Sequence, residues 1–154
     1  MKLKVTAFWL VVLAALFIFL QEYSKFHFFF IEQSQLFQFT GEYISEKLAM
    51  PGGFALTLSE FLVQFFIYPY AGAGITAGLL LLTGLGMRGI VRRIAPDTNC
   101  FLLYLIPIVL IMFLHFDFNY LVFGTIAFNM MLCALYFCLC ISTDKWRMIA
   151  EIII

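Results

Sequence analysis

Between Tyr70 and Met87, 18 consecutive residues pass without a charged side chain. A helix needs about 20 mostly apolar residues to cross a bilayer, since each residue adds about 1.5 Å toward roughly 30 Å of hydrocarbon. In water the same stretch would have to be buried on all sides. A chain of 154 residues offers little interior for that, because a fold of this size hides only about 70% of the surface its unfolded chain exposes. Three further apolar runs, Val5–Leu20, Cys100–Leu114 and Tyr120–Ile141, raise the apolar share to 64% and leave 12% charged. Soluble domains carry about half and about a quarter. The excess apolar surface is expected to face lipid. Nine Lys and Arg against nine Asp and Glu leave no net charge, which excludes a basic field for holding nucleic acid.

The first run follows Met1-Lys2-Leu3-Lys4 in the layout of a signal sequence, but Leu20-Gln21-Glu22-Tyr23 replaces the small-x-small cleavage site. It therefore reads as an uncleaved anchor. The chain is expected to be one all-α integral membrane domain with four transmembrane helices, at 5–22, 69–88, 99–115 and 120–141. Residues 23–68 would form an outer loop of amphipathic, interfacial helices and 142–154 a cytoplasmic tail. Orientation follows from positive charge. Lys2, Lys4, Arg88, Arg92, Arg93, Lys145 and Arg147, seven of the nine bases, fall on one side if both termini are cytoplasmic. Short loops with excess Lys and Arg stay inside, so the expectation is N-in and C-in, in a bacterial inner membrane.

Residues 21–53 are the most polar third and cannot span. Thr40 can cap a helix whose first turn holds Glu42, and Pro51-Gly52-Gly53 stops it. In the next segment Thr57, Glu60, Gln64 and Tyr68 recur at spacings of three, four and four, which puts them on one helical face. Two readings of that face stand side by side. Either the helix lies flat on the outer leaflet with these residues in water, or Glu60 and its neighbours line a polar groove, since a carboxylate in an apolar run is costly unless it meets a cavity or a partner such as Lys47 or His115. Gly74 and Gly78, four apart among alanines, suit close helix packing within the chain or between copies. Arg88, Arg92 and Arg93 act as topology determinants that can also grip anionic headgroups.

Chemistry-bearing patterns are sparse. Neither His27 nor His115 has ligand spacing on one helix, and His115-x-Asp117 alone does not define a metal site. Cys100, Cys133, Cys138 and Cys140 match no zinc or redox spacing and read as free thiols. No cofactor is implied.

The stretch Glu32-Gln33-Ser34-Gln35-Leu36-Phe37, then Pro51-Gly52-Gly53, then Leu58-Ser59-Glu60-Phe61-Leu62 through Gln64-Phe65-Phe66, Tyr68-Pro69 and Gly72-Ala73 resembles the N-terminal region of an uncharacterised bacterial family of multi-pass membrane proteins. That resemblance implies further spans in longer proteins and brings no activity. A looser likeness is to polytopic glycosyltransferases using lipid-linked sugars, which place an acidic residue early in the first outer loop; Glu22 is the nearest position. The expected role is a structural or interaction component contacting membrane lipids and a membrane protein partner or a second copy. The rival is a fragment of a membrane enzyme or transporter acting on a lipid-linked or amphipathic substrate through Glu60 and Gln64.

Overall fold

The computed structural model describes residues 2–96, 101–117 and 119–141, with side chains from Lys4 onward. Among these residues every regular element is helical: α1 (Lys2–Tyr23), α2 (Lys25–Ser34), α3 (Gly41–Leu48), α4 (Gly53–Val63), a short 3-10 turn (Gln64–Ile67), α5 (Ala71–Ile94), α6 (Phe101–Leu114) and α7 (Val122–Cys140). Three of them, α1, α5 and α7, are long and apolar enough to cross a membrane. The 14 described residues of α6 reach only about 21 Å at 1.5 Å per residue, and residues 97–100 before it lie outside the described set, as does the tail 142–154. α6 continues through Pro107, which sits buried inside it.

α5 is the hub, packing on α1, α6 and α7. Trp9 meets α5 at Gly84 and Phe17 meets it at Gly74, so α1 runs antiparallel to α5. Gly86 faces Leu132 and Gly89 faces Tyr136, so α7 runs parallel to it. Parallel neighbours require the chain to return between them, and α6 is the returning element.

Of the glycines in the bundle helices, Gly84 is the most tightly enclosed. A Cβ there would come within 2.5 Å of Ile108 Cδ1 and 2.8 Å of the Trp9 ring, so α1, α5 and α6 converge on a point that only glycine leaves open. Among the described residues Gly74 and Gly78 are less tightly enclosed. A Cβ at Gly74 would find only the Phe17 ring, at 3.9 Å, and one at Gly78 would find nothing within 4 Å. The bulk of Trp9, two turns farther along α1 from Phe17, is what moves the tight point down the helix.

The polar third folds into a cap of α2, α3, α4 and the 3-10 turn. α4 does not float free, because it packs on α7 and α3 and buries Ala55, Ser59, Glu60 and Val63. The α3–α4 connection needs its two glycines. Gly52 adopts φ 73°, and a Cβ on Gly53 would overlap the Lys47 carbonyl oxygen at 2.0 Å. The connection lies against α7, with the Phe123 ring 3.5 Å from where a Gly52 Cβ would sit, and a cleft brings Met50, Gly53 and Ala55 to Ala127 and Met130. The α3–α4 hairpin thus runs alongside the first half of α7 instead of crossing the end of the bundle.

Candidate functional site

Local sequence sets up α3. Thr40 in extended conformation accepts a hydrogen bond from the Tyr43 N–H at 3.4 Å, Glu42 occupies the first turn and Lys47 the last, both matched to the helix dipole. Helical spacing of four then puts Tyr43 and Lys47 on one face, and that face meets α4. Glu60 lies between them, 7% exposed. Lys47 Nζ donates to Glu60 Oε1 at 2.8 Å, and the Tyr43 hydroxyl donates to Glu60 Oε2 at 2.5 Å.

The clamp extends to the loop before α3. The Tyr43 hydroxyl is also 3.1 Å from the Leu36 carbonyl, and Gln64 Nε2 donates to the Gln35 carbonyl at 2.8 Å. Phe37 packs edge-on against Phe39, Tyr43 and Phe61. Together these contacts fix residues 35–39 against α4. The hydrogen bond that Lys47 donates to Glu60 raises the Lys47 pKa, while burial, reinforced by Glu60, raises that of Tyr43. Both groups are held in the protonated form that binds the carboxylate.

The four residues on the sequence-derived face separate. Glu60 and Gln64 meet α3 and the loop before it; Thr57 turns back to donate to the Gly53 carbonyl at 2.7 Å; Tyr68 follows the 3-10 turn and is exposed. Arg88, Arg92 and Arg93 all fall in the last two turns of α5, which extends to Ile94. Arg93 Nη2 lies 3.3 Å from Cys140 Sγ, tying the ends of α5 and α7. Cys133, Cys138 and Cys140 are free thiols, and Cys100 lies outside the described residues.

A second polar cluster joins residues 88 positions apart. His115, fully buried just after α6, bonds Thr125 Oγ1 at 2.9 Å through Nε2, and the Tyr120 hydroxyl lies 3.1 Å from the same Thr125 oxygen. His27 on α2 is also buried and stands within electrostatic reach of Asp117. Burial lowers the His27 pKa and Asp117 opposes that shift. Linear spacing linked only His115 with Asp117; the signal that could have added His27 is that it recurs with Ile31 four residues on, among the buried positions of α2. Among the described residues no group of three or more His, Cys, Asp or Glu is arranged to hold a metal ion.

A helical bundle with three membrane-length helices, topped by a cap whose inward carboxylate is bound by its own lysine and tyrosine, defines a membrane-type helical protein with no reactive constellation among the described residues. The chain belongs to the family of unknown function DUF6057, whose profile matches residues 1–154. No curated protein and no solved structure matches it.

Proposed function

We propose that the chain is a structural or interaction component of a bacterial inner membrane, which it crosses four times with both termini in the cytoplasm and the cap at the outer leaflet. The observation that carries this reading is the state of Glu60. The residue best suited by sequence to reaction chemistry is engaged at both oxygens. A carboxylate so held locks α4 to α3. The parallel packing of α5 and α7 supports a fourth crossing through α6, and seven of nine bases support the orientation.

Partners follow from the surface. Phe26 at 84% exposure, Phe39 at 78% and Leu36 at 69% stand out from the cap beside its carboxylates, the arrangement of side chains that sit at headgroup level. Membrane lipids are the first partner, with Arg88, Arg92 and Arg93 reaching inner headgroups. A second copy or another membrane protein would pack on the apolar flanks. In a cysteine-free background, single cysteines at positions 46 and 119 should react with an impermeant thiol reagent added outside intact spheroplasts, and one at 144 should not. Labelling of position 144 from outside would overturn the topology.

A further inference from the structure

Where the end of α1, α2, the 3-10 turn and the start of α5 meet, the protein holds a half-enclosed cavity of about 300 Å³, at the small end of ligand sites. Its floor is apolar and buried: Phe28, Phe66 and Ala73. Phe28 and Phe66 contact edge to face at 5.3 Å, and Phe28 presses so close to α5 that a Cβ on Gly72 would come 2.7 Å from its ring. The rim differs in character, carrying Lys25 and the exposed Tyr68 and Tyr70.

Three features give that rim a charge preference. Residues 21–69 contain two lysines. Lys47 is bound to Glu60, whereas Lys25 has no ion-pair partner among the described residues. It is therefore the uncommitted cation of an otherwise acidic cap. Next, α5 opens into the cavity without a side-chain cap, so the positive end of a 24-residue helix dipole points there. Finally, the position that would ordinarily supply a Ser, Thr or Asp cap is Tyr70 at φ 70°, the one described non-glycine residue with positive φ. A tyrosine held in that disfavoured conformation at a cavity lip is the kind of strain that gathers at ligand sites.

We propose that this cavity binds the chain of a single-chain anionic amphiphile. The chain lies on Phe28, Phe66 and Ala73, and a carboxylate or phosphate head sits between Lys25 and the first turn of α5. The inference goes beyond the structural reading above and is independent of sidedness, so failure of the labelling experiment would leave it standing, and the reverse holds too.

The test uses the full chain in phosphatidylcholine nanodiscs with three diazirine-bearing probes of equal chain length: palmitate, lysophosphatidylglycerol and the neutral palmityl alcohol. Adducts are mapped by peptide mass spectrometry. Both anionic probes, or one of them, should give saturable adducts at Phe29, Tyr68 or Tyr70, with half-saturation about tenfold below that of the alcohol. The probe that saturates lower identifies a free carboxylate or a phosphodiester as the head recognised. Lys25→Gln, at an exposed position that does not support the fold, should remove most of that tenfold preference while leaving alcohol labelling unchanged. Equal labelling by the alcohol, unaltered labelling of Lys25→Gln, or unsaturable adducts spread along α6 and α7 would each overturn the proposal.

Discussion

The bundle and the cap solve the same packing problem with opposite chemistry. In the bundle, helices approach where side chains are missing: Gly84 leaves room for Trp9 and Ile108, and Gly86 and Gly89 receive Leu132 and Tyr136. Polar contacts are few, such as Asn129, which donates to the Leu79 carbonyl at 3.3 Å and lies 3.3 Å from Thr83 Oγ1. In the cap, helices of eight to eleven residues are too short to be stable alone, and side-chain hydrogen bonds from Tyr43, Lys47 and Gln64 fix them. Where lipid surrounds a helix, apolar burial does not distinguish one neighbour from another, so shape must. Where water competes, paired polar groups can select one arrangement.

The comparison breaks most sharply at Gly84. Gly84→Leu should destabilise the detergent-solubilised protein by about 3 kcal/mol, because the Trp9 ring and Ile108 must move to admit it, while Gly78→Leu should cost less than about 1 kcal/mol. Thermal unfolding of the two variants side by side checks this, and equal losses would remove Gly84 as the pivot.

In the cap the corresponding change is Lys47→Met, which leaves the buried Glu60 without its cation. A loss of about 2 kcal/mol is expected, below the roughly 3–5 kcal/mol of fully enclosed pairs because Lys47 is a quarter exposed. Glu60→Gln, which can still accept from Tyr43, should cost about half as much. Combining Lys47→Met with Glu60→Met should recover part of the loss. Additive losses across that cycle would mean that the two side chains do not act as a pair.

pH separates the regions in a different way. Lys47 and Tyr43 have raised pKa values when folded, so their contribution is complete below their unfolded values, near 10, and fades as pH rises past them. His27 has a lowered value, so its contribution is complete above about pH 6.5 and fades as pH falls. Protease cleavage of the cap should accelerate at both extremes, and His27→Gln should flatten the acid limb alone. An alkaline limb left unchanged by Lys47→Met would contradict the assignment to the Lys47–Tyr43–Glu60 contacts. The smallest effect is expected at Asn129→Leu, about 0.6 kcal/mol by the usual scale of hydrogen bonds between helices in lipid, read from the same unfolding curves.

How much of this was legible in the sequence differs between the regions for the same reasons. The apolar runs named the long helices, since length and hydropathy are local properties. Which glycine touches a neighbour was not legible. Gly74 and Gly78 had the familiar spacing, but contact depended on a tryptophan sixty-odd residues away that fits only at Gly84. In the cap, the 57, 60, 64 spacing singled out Glu60 as a carboxylate needing a partner. The sequence offered Lys47 or His115 as that partner; which of them it is depended on α3 folding back through Gly52 and Gly53, and Tyr43 has no sequence signal beyond following a capping threonine. That His27 comes within electrostatic reach of Asp117 required the three-dimensional fold outright.

The position of α5 at the hub also sets an order of events. As the chain is made from its N-terminus, α1 emerges with its tryptophan face and has to wait some seventy residues for the glycine that receives it. During that interval the cap segment is already complete and can close its own lysine–glutamate lock using only neighbours in sequence. The lysine–glutamate lock between α3 and α4 can therefore close before α5 is made, and α7, which follows α5 in the chain, docks against both the hairpin and α5.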